Sequence, residues 1–191
     1  MGHSQADKAA SRVRILAAAT AQMRAGGLDS VSVGNVMRSA DMTHGGFYNH
    51  FGSRAELLTE ALACALDQSE TLRPGIEETR ADPEALRRFV RAYLSRAHRD
   101  NRDSGCAIAG LAAEVGRAEP EFHEVMNDHI EQFIALVANA LGEGREEAAM
   151  LAVSAMVGAL QLSRVLTDTK RSDFLLKAVR DALGILVDIR E

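Results

Sequence analysis

The sequence predicts an all-α protein, built as a small N-terminal three-helix head followed by a larger C-terminal helical bundle. Apolar residues recur at helical spacing along most of the chain, and no alternating strand pattern is found. Aromatic residues make up 4% of the chain, with no Trp and three Pro, which favours helices packed through aliphatic side chains. At 191 residues, the chain is long enough to bury a hydrophobic core.

The head begins with a polar arm, MGHSQADK, and a helix predicted over about residues 9–25. Gly26 and Gly27 end this helix. Ser32 is placed to cap a second helix, and Thr43 to cap a third over about residues 43–51. The apolar stripe of the first helix consists of Ile15, Leu16, Ala19 and Met23.

A fourth helix follows Gly52, because Ser53 and Glu56 have the spacing of a capping box. It is predicted to continue toward Thr71, and the break Arg73-Pro74-Gly75 then separates it from the body. We expect one domain at residues 1–55 and a second at residues 56–191.

In the body, Asp82 and Pro83 predict a helix start, since Asp caps a helix and Pro suits its first turn. Polar residues 99–105 are predicted to form a loop, and residues 106–117 a helix. A long helix begins at Pro120 and ends near Gly142. Two more cover about residues 146–167 and 172–189.

The net charge of −5 by itself argues against a nucleic-acid-binding protein. The charge is uneven, however, since residues 1–60 hold six Lys and Arg against five Asp and Glu. A weakly basic head on an acidic body fits DNA binding by the head.

Two cysteines in a chain of this size do not suggest a disulfide framework. The N-terminus is polar and lacks the apolar core of a signal peptide. We find no apolar run as long as a membrane span, so the sequence predicts a cytoplasmic protein without a membrane partner.

The most informative segment is VGNVMRSADMTHGGFYNHFGSRAELL, residues 33–58. Two short helices joined by a tight turn make a helix-turn-helix, whose second helix enters the DNA major groove. The alternative is an ordinary helical core with surface histidines. An esterase oxyanion loop at residues 44–46 is rejected, because no G-x-S-x-G nucleophile motif occurs in the chain.

Residues 27–58 resemble the DNA-binding head of the TetR family of transcriptional regulators. The resemblance implies that residues 1–55 form a DNA-binding domain and residues 56–191 an effector-binding and dimerisation domain. Asp41 stands where the family usually has Gly, Gly52 where Pro is common, and Arg54 where Lys is common. Asp tolerates left-handed backbone, so we expect the turn to survive. The matching residues are Gly27, Ser32, Val33, Val36, Ala40, Thr43, Gly45, Tyr48, Phe51, Ser53, Arg54, Leu57 and Leu58.

Double-stranded operator DNA is therefore the expected partner. Thr43 at a helix start offers a hydroxyl and free backbone N–H groups to a phosphate. Gly45 and Gly46 carry no side chains, which lets the backbone approach base edges. The candidates for base-edge hydrogen bonds are His44 and Asn49. Phosphate contacts are assigned to Tyr48, His50 and Arg54. The aromatic residues expected to be buried in the head are Phe47 and Phe51.

The resemblance also implies a pocket for an unidentified small-molecule effector among the body helices, lined by part of an aromatic and Met stripe. Plain core packing is the alternative. His98, Cys106 and His129 would add polarity. The predicted pocket residues are Phe89, Tyr93, His98, Cys106, Phe122, Met126, His129 and Phe133.

Small residues recur in the last two helices, where they permit close helix packing. In the TetR family these helices form a four-helix homodimer interface, whereas packing within one chain is the alternative. The predicted interface consists of Ala155, Gly158, Ala159, Leu162, Ala178, Val179, Ala182, Leu183 and Leu186.

The resemblance implies a ligand-responsive regulator, a repressor released from a palindromic operator by an inducer. An alternative is a redox or electrophile sensor acting through Cys106, which follows Ser104-Gly105 near a predicted helix start that would favour a thiolate. A small buried Cys106 is the plainer interpretation. A Cys/His enzyme and a helical scaffold without DNA contact are the remaining rivals. His123 and His129 are spaced poorly for a metal site, so no metal or cofactor is expected.

Overall fold

The computed structural model describes residues 5–70 and 81–188, and over these ranges the chain is helical with no strand. The all-α prediction is therefore confirmed. The predictions at Arg73-Pro74-Gly75 and for the helix end at Thr71 lie outside the described residues, as do the first four residues of the predicted arm.

Helix α1 spans Gln5–Gly26 and ends at Gly27, after which Leu28–Ser30 form a single 3-10 turn. Residues 5–8 are helical, so the prediction that they belong to a polar arm was wrong for these residues. Helix α2 spans Val33–Ser39, and the Ser32 side chain accepts the Asn35 N–H at 3.2 Å, which confirms the predicted cap.

The turn after α2 survives the replacement of glycine, because Asp41 adopts the left-handed conformation with φ 57°. The third helix differs from its prediction. His44–Asn49 form a 3-10 helix and not an α-helix, and the Thr43 side chain makes no capping hydrogen bond. Two glycines in six residues weaken the α-helix, which leaves the tighter and shorter 3-10 form.

Helix α3 spans Arg54–Glu70. Ser53 Oγ accepts the Glu56 N–H at 3.0 Å and Glu56 Oε2 accepts the Gly52 N–H at 2.7 Å, so the predicted capping box is present. Because α3 packs against α1 in the head and against two helices of the body, it belongs structurally to both. The boundary at residues 55 and 56 falls in its first turn and stays a prediction.

The body begins with helix α4, Pro83–Tyr93, where Asp82 Oδ1 accepts the Ala85 N–H at 2.8 Å as predicted. A short helix α5 spans Arg96–Asp100 and overlaps the predicted loop at residues 99–105, so that prediction was partly wrong. The missed signal is Ser95, whose Oγ accepts the His98 N–H at 3.1 Å and caps α5.

Four further helices complete the body. Helix α9 begins before the predicted residue 172 because Asp168 Oδ1 accepts the N–H groups of Lys170 and Arg171 at 2.8 and 3.2 Å. The bounds are Ala107–Val115 for α6, Pro120–Leu141 for α7, Glu146–Val165 for α8 and Thr169–Asp188 for α9.

Helix α8 is long and apolar enough to cross a membrane by length and composition alone, with mean hydropathy 1.5. The prediction that no segment would reach this length was wrong. Since α8 packs against α7 and α9 and contributes to the core that joins head and body, we interpret it as a core helix.

Candidate DNA interface and effector domain

The 3-10 segment His44–Asn49 presents one exposed edge and one buried edge. Phe47 is buried, and its ring stacks on the buried Phe51 ring with centroids 5.8 Å apart, as predicted. Tyr48 is 72% exposed although it is a large aromatic residue. The buried rings hold the segment against the head. The predicted DNA-contacting residues that are exposed are Thr43, His44, Gly45, Tyr48, Asn49 and Arg54.

The two glycines of this segment are not required by packing within the chain. A Cβ on Gly45 would meet no atom within 4 Å, and a Cβ on the half-buried Gly46 would make only ordinary contacts of 3.6 Å or more. Neither has a positive φ. Their lack of side chains has no explanation inside the protein, which is consistent with close approach to DNA.

Arg54 is exposed and also makes hydrogen bonds within the head. Its guanidinium donates to the carbonyls of Val31 at 3.0 and 3.2 Å and of Leu28 at 3.4 Å. These hydrogen bonds connect the start of α3 to the segment between α1 and α2. Arg54 therefore positions the helix-turn-helix, and its contact with a phosphate stays a prediction.

His50 is half-buried, and its Nδ1 is buried without a hydrogen-bond partner. Burial lowers the His50 pKa, as do the nearby charges of Lys8 and Arg12. The neutral ring is therefore favoured, which weakens the predicted contact to a phosphate. Arg12 of α1 donates to the His50 carbonyl at 3.3 Å and lies over the Phe51 ring at 4.5 Å. These two contacts attach the end of the recognition segment to α1.

Exposed cations around this surface were not singled out from the sequence. Arg38 on α2 is exposed and makes a long hydrogen bond of 3.5 Å to Asn35, and Lys8 and Arg14 are exposed on α1. Single basic residues at scattered positions give no sequence pattern. The fold brings the Lys8 charge close enough to His50 to lower the pKa of that histidine.

In the body, the predicted pocket residues form a packed aromatic cluster. Phe89, Tyr93 and Phe133 have ring centroids 5.7 to 5.9 Å apart, and the His98 ring lies 4.7 Å from that of Tyr93. Phe122 and Met126 are also buried. None of the eight predicted residues lines the surface grooves of about 620 Å³ and about 550 Å³ in the body. The effector pocket therefore stays a prediction.

His98 is a structural link and not an open ligand. Its Nδ1 lies 2.7 Å from the Tyr93 carbonyl oxygen, and its Nε2 accepts the Cys106 N–H at 2.9 Å. Because Nε2 accepts, Nδ1 carries the proton and donates. Burial lowers the His98 pKa, which the Tyr93 hydrogen bond opposes, and the Arg164 charge lowers it further. The ring is held neutral with both nitrogens occupied.

Cys106 is 6% exposed and directly precedes α6. Two partly buried guanidinium groups, Arg24 from α1 and Arg164 from α8, interact electrostatically with it. Burial lowers the pKa of each arginine, and a Cys106 thiolate would raise both again. The position therefore combines burial with positive charge.

The other candidate groups are separated in space. His129 is half-buried and its Nε2 lies 3.6 Å from Asp67 Oδ1, which connects α7 to α3, whereas His123 is exposed. Over residues 5–70 and 81–188, no three His, Cys, Asp or Glu side chains are arranged to hold a metal ion.

The last two helices present an apolar surface. Ala159 and Leu183 are each 4% exposed inside the single chain, so they offer little surface to a second copy, and the interface stays a prediction. Of the other predicted residues, Leu162, Ala178 and Ala182 are exposed, and Ala155, Gly158, Val179 and Leu186 are half-buried. The sequence analysis did not identify further large exposed apolar residues on the same two helices, namely Met150, Leu151, Val165, Phe174 and Ile185.

A helix-turn-helix with an exposed recognition edge, carried on a helical body, defines a DNA-binding transcription regulator. Residues 15–61 match the family described as bacterial regulatory proteins, tetR family. Residues 83–179 match the family described as tetracyclin repressor-like, C-terminal domain. The chain belongs to the TetR family of transcriptional regulators, whose members are generally not enzymes.

Relatives of known sequence and structure agree with this assignment. An uncharacterized HTH-type transcriptional regulator of Mycobacterium tuberculosis is 26% identical, over 90% of this chain and 93% of the relative. The reduced form of Escherichia coli NemR is 19% identical with TM-score 0.73, over 92% of this chain and 96% of that one. A TetR regulator from Chloroflexus aurantiacus is 16% identical with TM-score 0.76, over 96% of both chains.

The surroundings of His98 predict that the protein loses stability in acid. The pKa of His98 in the folded chain is below its ordinary value. As the pH falls below about 6.5, the unfolded chain takes up a proton that the folded chain resists, and the free energy of unfolding decreases. Thermal unfolding at about pH 7.5 and about pH 5.5 measures this loss. His98→Gln should lose less stability than the wild type between these two pH values. An equal loss in both proteins would show that His98 is not the source of the acid sensitivity.

Proposed function

We propose that this protein is a repressor that binds a palindromic operator as a homodimer and is released by a small-molecule inducer. The observation that carries the proposal is the recognition segment, which exposes Tyr48 and leaves open space at Gly45 above two buried Phe rings. A cytoplasmic location follows from this function. The spacing between operator half-sites would match the helical repeat of DNA.

On this surface we assign base readout to His44 and Asn49 and phosphate contact to Thr43 and Tyr48. The side chains of all four are exposed. Asn suits the adenine edge, while a hydroxyl suits a phosphate oxygen. Arg38, exposed on α2, is a further candidate for a phosphate contact.

Replacing Gly45 with Ala should separate DNA binding from folding. The added methyl meets no atom of the chain, so stability should be unchanged or higher by up to about 1 kcal/mol. In the complex the methyl would point at the DNA and lower affinity by about tenfold or more, or about 1.4 kcal/mol. The measurement is a fluorescence-anisotropy titration with a duplex selected from a random pool by the wild type, beside urea unfolding.

Gly110→Ala on α6 is the matched control, because Gly110 is exposed and its Cβ would also meet nothing within 4 Å. It should leave DNA affinity unchanged. If Gly45→Ala binds the duplex as tightly as the wild type, close approach of DNA at this position is wrong.

The apolar surface on α8 and α9 supports the homodimer. On α8, Leu151, Leu162 and Val165 recur at helical spacing and therefore share one face with the half-buried Ala155 and Gly158. Phe174 and Ile185, 65% and 67% exposed, share a face of α9. Exposed apolar rows on two adjacent helices are typical of a helix-to-helix interface with a second copy.

Leu162→Glu should disrupt the dimer, since it places an unpaired carboxylate on this apolar surface. We expect a monomer at micromolar concentration by analytical ultracentrifugation, with little change in the stability of the monomer because Leu162 is 60% exposed in the single chain. The control is Val13→Glu on α1, because Val13 is an apolar residue of similar exposure, 66%. This variant should remain a dimer. A dimeric Leu162→Glu protein would refute this interface.

A thiol sensor is the second candidate, supported by two guanidinium groups near Cys106: Arg24 donates to the carbonyl of the preceding Gly105, and Arg164 to that of His98, whose ring accepts the Cys106 N–H. The NemR structure similar to this chain is of a reduced form. A Cys/His enzyme is less supported, because His98 uses both ring nitrogens for backbone groups and none for the Cys106 thiol.

If Cys106 is a sensor, N-ethylmaleimide should form a thioether with its sulfur and release the selected duplex from the wild type. Cys106→Ser should then bind the duplex and resist release. Because Cys106 is buried, we expect N-ethylmaleimide to modify it slowly or not at all. The wild type and Cys106→Ser should then retain the duplex equally well. Cys64→Ser, at the half-buried second cysteine, is the control for modification elsewhere.

A further inference from the structure

We propose that Glu114, on the last turn of α6, is the positioning residue that couples the body to the DNA-binding head. The inference rests on the proposed function. Glu114 Oε2 accepts the Leu28 N–H at 2.7 Å, which joins the body to the first residue of the 3-10 turn that links α1 to α2. A carboxylate is a strong acceptor for a backbone N–H.

The absence of a side chain at Gly27 leaves the space that the Glu114 carboxylate occupies. Gly27 has φ 83°, a conformation that favours glycine, and a Cβ at this position would lie 2.3 Å from both Glu114 oxygens. Any other residue at position 27 would push Glu114 away. The segment between α1 and α2 and the end of α6 are therefore fitted to each other.

Glu114 is not explained by the stability of its own helix. It lies in the final turn of α6, Ala107–Val115, where the negative end of the helix dipole disfavours an acid. The hydrogen bond from the Leu28 N–H compensates the unfavourable position of the carboxylate, and Leu28 belongs to the 3-10 turn that follows α1. The carboxylate is thus placed for a contact across the boundary between body and head.

The opposite end of α6 lies among the polar groups of the body. The Ala107 N–H donates to Ser69 Oγ at 2.9 Å, the Gly105 carbonyl accepts from Arg24 at 2.9 Å, and the Cys106 N–H donates to His98. Helix α6 therefore connects this polar cluster at one end to Leu28 at the other. A displacement of α6 by an effector would move the segment that leads into α2, and DNA binding would act back on α6 by the same coupling free energy.

A double-mutant cycle tests whether the contact exists in solution. Urea unfolding is measured for Gly27→Ala, Glu114→Ala and the double variant. Gly27→Ala should destabilise the wild-type background more than the Glu114→Ala background, because only the wild type has the carboxylate that the new Cβ would strike. Additive effects would show that the contact is absent and would overturn the proposal.

Hydrogen exchange tests the coupling itself. The duplex selected by the wild type should slow exchange of residues 107–115 by about fivefold or more, the lower end of typical allosteric couplings. This change should disappear in Glu114→Ala and persist in Glu114→Gln, whose amide oxygen still accepts from Leu28. Glu124→Ala, at an exposed acid on α7, is the control for loss of charge.

A purely structural role would give another result. Glu114→Ala would then lower stability, yet DNA binding would still slow exchange in residues 107–115, and the coupling proposal would be wrong. If the wild type selects no duplex at all, the proposed repressor function fails and the coupling proposal fails with it. That outcome is visible in the wild-type titration, before any variant is compared.

Discussion

One partly buried guanidinium holds the two parts of this protein together. Arg24, at the end of α1, donates to the carbonyls of Gly105 and Ala65 and to the Ser69 hydroxyl. Burial lowers the pKa of Arg24, but an arginine stays charged in proteins. Its two terminal nitrogens make these hydrogen bonds, while its Nε is buried without a hydrogen-bond partner. The carbonyls that compensate it come from α3 and from the segment before α6, so the desolvated charge is stable only when head and body are assembled around it.

A second arginine lies near the same segment. Arg164 of α8 donates to the carbonyls of Arg99 and His98 in α5 at 3.1 and 3.3 Å. A Cβ on Gly105 would lie 2.6 Å from the Asn101 carbonyl oxygen and 2.9 Å from an Arg164 nitrogen. Close packing of backbone and guanidinium groups therefore connects the start of α6 to α1, α5 and α8, so that α6 links these helices to the head.

Sequence signals that act over three or four residues predicted the structure well. The caps at Ser32, Ser53 and Asp82 and the left-handed Asp41 are all present, because each depends on its own neighbours. Features set by distant contacts were not predictable in this way. Arg54 donates to the Val31 carbonyl, the Phe89 and Phe133 rings pack against each other, and Leu183 is buried within the chain. Each contact joins residues far apart in the sequence, and the periodicity of one helix does not show which residues of another helix will cover it.

The glycines show where the explanation of a residue has to be sought. Gly27 and Gly105 each leave room for a named atom of the same chain, so their lack of a side chain is accounted for by folding alone. Gly45 leaves room for nothing in the chain and weakens the helix that carries it. The exposed ring of Tyr48 likewise gains little from folding. Both lie on the same short segment, which in a helix-turn-helix faces the DNA major groove, and the proposed contact with DNA would account for both.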